Sequence, residues 1–136
     1  MKLESDIRTD LYHYIKANAL SEAVKGRLYK EAEERPDDAL TEDIVIAVLT
    51  EPNINDLQEV IVLVRVYVAD LYDSKSKLYR KNGVRVAELE KLCLSAFEVF
   101  RTDESRCSLQ SQKTFKVEAK KEHCIVNRIS YKHCNY

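Results

Sequence analysis

The chain has 136 residues, 45% of them hydrophobic and 33% charged, with a net charge of −1. That length sustains a single domain over residues 1–136 with its own core, and the balance excludes a disordered chain. Near-neutrality removes any overall electrostatic drive towards nucleic acid or an anionic membrane, and no apolar run reaches the roughly 18 residues of a spanning helix.

The opening "MKLESDIRTD" lacks the apolar core of a signal peptide, which sets an intracellular expectation. In that setting Cys93, Cys107, Cys124 and Cys134 are expected as reduced, small hydrophobic side chains. Ser5 and Asp6 read as a helix start, and Ile7, Leu11, Tyr14 and Ile15 recur at helical spacing. Leu20, Ala23 and Val24 continue the pattern, so one helix is expected over about 5 to 24, stopped by Gly26. "GRLYK" (26 to 30) reads as a short strand.

Residues 31 to 43, "EAEERPDDALTED", carry seven acids against one arginine and read as a solvated loop. "DIVIAVL" (43 to 49) is a strand, with Ile44, Ile46 and Val48 on one side and Val45, Ala47 and Leu49 on the other. "EPNIND" turns the chain into "EVIVLVRVYVADLY" (59 to 72), the most apolar stretch. There Val60, Val62, Val64, Val66 and Val68 alternate with Ile61, Leu63, Arg65 and Tyr67, so both faces are apolar. A short link between the two strands favours an antiparallel pair.

"DSKSKLYRKNG" (73 to 83) reads as a polar, mostly basic connection, from which Asn82 caps a second helix. Val86, Leu89, Leu92, Cys93, Ala96, Phe97 and Phe100 define that helix, and "RTDES" turns after it. "KTFKVEA" (113 to 119) and "CIVNRISYKHC" (124 to 134) read as a closing hairpin linked by "KKEH". The expected class is α+β: a mainly antiparallel four- to five-stranded sheet in α-β-β-α-β-β order, with two helices on one face.

Two helices cover one sheet face and leave the other. If Val60 to Val68 face the helices, then Ile61, Leu63, Arg65 and Tyr67, with Val45 and Leu49, lie on an open face. Leaving such side chains in water forgoes about 1.5–3 kcal/mol each, which favours a subunit interface. The competing expectation is that the C-terminal hairpin folds back as a second layer. The acids Glu33, Glu34, Asp37 and Asp38 and the cations Lys77, Arg80 and Lys81 lie on two loops of opposite sign, a pattern that suits head-to-tail contacts.

Chemistry is sparse. His123, Cys124, His133 and Cys134 include zinc-ligand types, but an extended segment of that length separates its ends by roughly 33 Å. Cys93 lies in an apolar helical stripe, which suits an inert thiol, and two glycines build neither a phosphate loop nor a nucleophile elbow. No catalytic, metal or cofactor residues are assigned, and an enzyme is not expected. Lys113, Lys116, Lys120, Lys121, Arg128 and Lys132 make the closing hairpin basic, beside Phe115 and Tyr131. A nucleic-acid ribbon uses such residues. Protection of an edge strand, with both aromatics in the core, is the reading favoured here.

The order of elements resembles the tail-terminator (tail-completion, head–tail joining) proteins of long-tailed bacteriophages and prophages. The matching parts are "DLYHYIKANALSEAV", "GRLY", "EDIVIAVL", "EVIVLVRVYV", "RVAELEKLCLSAFEVF" and "NRISYKH". The acidic loop and the cysteine-rich tail depart from the family pattern. The resemblance implies a non-enzymatic structural protein that forms a hexameric ring, caps the tail tube and joins it to the head. Its partners would be further copies of itself, the tail-tube protein and a head-completion or connector protein, with no membrane and no small-molecule substrate. Its place would be the virion tail, and the bacterial host cytoplasm during assembly. The alternative is a small intracellular module that dimerises through its sheet and binds nucleic acid with the basic C-terminal hairpin.

Overall fold

The computed structural model describes residues 2–50, 57–102 and 105–134. The turns expected at "EPNIND" and at Asp103 and Glu104 of "RTDES" lie outside the described residues.

The chain begins with α1 (Glu4–Lys16) and α2 (Ala19–Ala23), not one helix. Asp6, rather than Ser5, closes the first turn, its carboxylate accepting the Leu3 N–H at 2.9 Å. The break falls at Asn18, whose side-chain oxygen accepts the Leu20 N–H at 3.0 Å and caps α2. An asparagine favours that cap over a helix interior, because its amide competes with the backbone ladder. Gly26 lies beyond the end of α2 and has another use. A Cβ there would run into the Glu42 backbone and the Asp43 carboxylate, so only glycine allows this close approach.

After β1 (Leu28–Tyr29) and a 3-10 turn (Ala32–Glu34) come β2 (Ile44–Val48) and β3 (Leu57–Ala69). A separate ribbon, β4 (Leu71–Asp73) and β5 (Leu78–Arg80), replaces the expected basic connection. Then follow α3 (Gly83–Phe97), β6 (Val99–Thr102), β7 (Ser105–Lys116) and β8 (Glu122–Cys134). Asn82 caps α3 by accepting the Arg85 N–H, as expected, whereas Phe100 belongs to β6 rather than to the helix.

The class is α+β with a mainly antiparallel sheet. The main sheet has six strands in the order β1-β2-β3-β8-β7-β6, where four or five were expected, and the β1–β2 pair is parallel. β1 falls within the short strand expected at 26 to 30, and the added strand is β6, whose four residues are too few for periodicity to register and begin with the residues assigned to the end of the second helix. β3 is central, pairing along its length with β8 from Leu57↔Cys134 to Ala69↔Glu122. The closing hairpin therefore extends the sheet in its own plane and does not fold back as a second layer.

All three helices bury their apolar sides on one face of the sheet. Ile7, Leu11 and Ile15 of α1, Leu20 of α2 and Val86, Leu89, Cys93 and Phe97 of α3 pack with Val60, Val62, Val64, Val66 and Val68 of β3. Ile44 and Ile46 of β2 and Ile125, Ile129 and Tyr131 of β8 complete that core. Buried polar groups are bonded within it, with the Thr102 hydroxyl an exception among the described residues. The Tyr131 hydroxyl donates to Asp10 at 2.7 Å, and the Asn127 amide bonds the Val64 carbonyl at 3.1 Å.

Candidate interaction site

Strand alternation carries every second side chain to the face away from the helices. The registers Val45↔Arg65, Leu63↔Arg128, Arg65↔Val126 and Tyr67↔Cys124 gather these residues on that open face, with Ser111, Lys113 and Phe115 of β7 beside them. Ile61, Leu63, Arg65 and Tyr67 are half-buried and Leu49 is exposed, so five of the six expected interface residues keep accessible surface. Val45 does not: it is buried.

The cover over Val45 comes from the acidic segment, and the lone arginine in that segment holds it down. Arg35 is buried, its Nε 2.8 Å from Asp43 Oδ2 and its two terminal nitrogens 3.1 and 3.0 Å from the Glu122 carboxylate. It also donates to the Ala39 and Thr41 carbonyls and stacks 3.9 Å from the Tyr67 ring centroid. A planar fork satisfied on two carboxylates is a geometry that lysine cannot reproduce. Burial alone pushes the Asp43 carboxyl up. Hydrogen bonds from the Arg27 N–H, the Arg35 guanidinium and the Thr41 hydroxyl outweigh it and hold Asp43 below the usual carboxylate range. The run of seven acids is thus not uniformly solvated: Asp43 is buried, and Glu42 is bound by Arg85 at 2.7 and 2.8 Å.

The other end of the open face has no such cover from the described residues. Leu49, Leu63, Phe115 and Val126 line a depression of about 290 Å3, flanked by Lys113 and Arg128. Leu49 is 52% and Phe115 46% exposed. Lys113 stands 5.1 Å from the Phe115 ring centroid and Arg128 bonds Gln110 at 3.2 Å, while no carboxylate of the described residues pairs with Arg65. The result is an apolar depression with a cationic surround, open to an apolar partner that also carries acids.

The charged loops lie where exposure was expected. Glu33, Glu34, Asp37 and Asp38 are exposed on the 3-10 turn and just after it. Lys77, Arg80 and Lys81 are exposed on or beside the β4–β5 ribbon, with Arg80 3.5 Å from Asp73. Of the basic closing hairpin, Lys116 bonds Asp70 and Lys120 pairs with Glu122, so both serve the turn. Tyr131 is in the core as expected, but Phe115 is on the open face. The core assignment of Phe115 fails because its register partner Cys124 also points away from the helices.

The thiols of Cys93, Cys107 and Cys124 and the His133 ring are buried. Burial pushes the Cys93, Cys107 and Cys124 thiols up to about 12, which keeps them protonated and unreactive at neutral pH. His123 Nδ1 lies 2.7 Å from Asp70. His133 Nδ1 lies 3.0 Å from the Ser105 hydroxyl, a serine–histidine pair that sequence spacing gave no reason to suspect. Both residues are buried, and the serine hydroxyl also donates to Tyr131, so this pair belongs to the core network. Compared with known proteins, the chain matches no family model and no curated protein.

Proposed function

We propose that this protein is a non-enzymatic assembly subunit of the phage tail-terminator type, joining other protein subunits through the open face of its sheet. The observation that carries the reading is the apolar end of that face that the described residues leave uncovered, Leu49, Leu63, Phe115 and Val126, set beside the cations Lys113 and Arg128. The finer plan follows from the resemblance. Copies form a ring that caps the tail tube, the tail-tube protein and a head connector are its neighbours, and the site is the virion tail after assembly in the host cytoplasm. The helix-on-one-face sheet supports this, because its other face carries apolar side chains that the described residues leave without a covering layer.

The test is mass in solution. Wild-type protein is expected to run as a multiple of the 15.8 kDa chain in size-exclusion chromatography with light scattering. Leu63→Asp is expected to run as a folded monomer with an unchanged circular-dichroism spectrum. A wild-type chain that stays monomeric at every concentration overturns the reading, and so does a Leu63→Asp chain that is unfolded.

One observation favours a second reading. Phe115 points outward beside Lys113 and Arg128, the composition of a stacking platform for single-stranded nucleic acid. On that reading the protein dimerises through its sheet and binds nucleic acid on the β7–β8 ribbon. Oligonucleotide affinity that falls steeply with salt, and is lost in Phe115→Ser, is its signature.

A further inference from the structure

Exposed apolar side chains concentrate on the β4–β5 ribbon, away from the open sheet face. Leu71, Tyr72, Leu78 and Tyr79 are 55%, 56%, 60% and 45% exposed within ten residues of chain. Tyr72 and Tyr79 are cross-strand partners with ring centroids 5.1 Å apart, and Lys121 stands 4.1 Å from the Tyr79 centroid. An isolated two-stranded ribbon is marginal in water, and one with four large uncovered side chains is more so. The tip is nevertheless organised. The Asp73 carboxylate accepts the Lys75 N–H at 3.0 Å, and Lys77 adopts a left-handed turn with φ 57°. Around the apolar groups Lys75, Lys77, Arg80 and Lys81 are exposed, against the single acid Asp73.

The same chain carries a surface of opposite charge that also exposes apolar side chains. Between Glu31 and Leu40 the exposed acids Glu33, Glu34, Asp37 and Asp38 alternate with exposed Ala32, Pro36 and Leu40. None of those four carboxylates pairs with a cation of the described residues. Arg35 pins the middle of this segment to the fold and Arg85 holds Glu42 just past its end, so it is presented with little ordering left to lose on contact. A cationic ribbon with an apolar surface and an acidic segment with an apolar surface complement each other in both respects.

We propose that the β4–β5 ribbon of one copy docks on the acidic segment of the next copy. Lys75, Lys77 and Lys81 meet Glu33, Glu34 and Asp37, and the leucines and tyrosines of the ribbon cover Pro36 and Leu40. The two surfaces differ, so the contact is heterologous and a joined pair keeps one free ribbon and one free segment for further neighbours. The proposal rests on the assembly-subunit reading and specifies how copies join beyond the sheet face. Surface ion pairs dominate it, so assembly weakens as salt rises towards a Debye length of a few ångströms.

The experiment uses two charge-reversed full-length chains: Lys75→Glu/Lys77→Glu/Lys81→Glu, and Glu33→Lys/Glu34→Lys/Asp37→Lys. All six side chains are exposed, and the Lys75 N–H that bonds Asp73 is kept. In low salt, sedimentation velocity is expected to show each variant alone assembling at least tenfold more weakly than wild type. An equimolar mixture of the two is expected to recover assembly, because each reversed ribbon then meets a reversed segment. Wild-type assembly by either variant alone overturns the proposal, and so does a mixture that fails to recover. Loss of binding to a labelled single-stranded oligonucleotide by the ribbon variant, with assembly intact, assigns the ribbon to nucleic acid and also overturns it. If Leu63→Asp disperses the protein while both charge variants assemble normally, the ribbon contact fails and the sheet-face reading stands. A wild-type chain that never assembles removes both.

Discussion

The two faces of the sheet are built from the same strands and are covered by different means. On β3, the valines Val60, Val62, Val64, Val66 and Val68 are sealed by three helices, while Ile61, Leu63, Arg65 and Tyr67 are half-buried. The helix side is closed by dispersion and apolar burial spread over many side chains. Among the described residues the open side is closed at one end only, and there by a single guanidinium spanning two carboxylates. Removing one atom group therefore has different consequences on the two sides. Many small contacts degrade gradually, whereas one charged clamp fails at once.

The largest expected effect is on the clamp. Arg35→Ala leaves buried Glu122 with Lys120 alone and buried Asp43 with the Arg27 N–H and Thr41 hydroxyl alone, and is expected to cost about 3 kcal/mol in urea unfolding at pH 7, the low end for breaking a buried ion pair. pH sharpens this. Asp43 is held below its ordinary range, so its contribution is fully present above about pH 4 and is lost as pH falls through the lower folded value. Arg35→Ala removes part of that depression. The stability gap between wild type and variant is therefore expected to shrink as pH falls from 5 towards 2. A constant gap over that range would mean that the clamp acts by packing on Tyr67 and not by charge.

Next comes a matched pair on β8 that compares the faces directly. Ile129 points into the helix-side core and Val126 into the open depression. Ile129→Ala is expected to lose about 2–4 kcal/mol of monomer stability. Val126→Ala removes less, under about 1 kcal/mol, because its side chain is already partly hydrated. If Val126→Ala costs as much as Ile129→Ala in a dilute, monomeric sample, the open face is part of the core and needs no partner.

How much of this was legible in the sequence follows from contact range. The alternation of β2 and β3, the Asn82 cap and the apolar stripe of α3 are local signals, and the structure reproduces them. The Arg35 clamp joins residues 87 positions apart, and nothing local in "EERPDD" marks Arg35 as buried. A cue existed in the lone cation among seven acids, which a buried ion pair explains better than a solvated loop does. The β4–β5 ribbon was hidden by its lysines and serines, which read as a loop although Leu71, Tyr72, Leu78 and Tyr79 are strand formers. Residues 105 to 112 of β7 were missed for the same reason, being almost wholly polar. Phe115 was misplaced because alternation says which residues share a face but not which face is covered.

The smallest expected effect separates folding from assembly. Ala119 sits in the β7–β8 turn with φ 61°, where the turn closes through Lys120 N–H to the Val117 carbonyl at 3.2 Å and Val117 N–H to the Glu122 carbonyl at 3.0 Å. A left-handed alanine carries roughly 1–2 kcal/mol of steric strain that glycine lacks. Glycine adds about 0.5–1 kcal/mol of chain entropy to the unfolded state, so the two effects partly cancel. Ala119→Gly is therefore expected to stabilise the monomer by up to about 1 kcal/mol in denaturant unfolding. The side chain is exposed on neither the sheet depression nor the ribbon, so the assembly constant should stay within about twofold of wild type. A more stable monomer that also assembles much more tightly would tie the turn to the interface and extend the open face to the start of β8. An unchanged constant would leave the two processes on separate residues, as the unequal covering of the sheet requires.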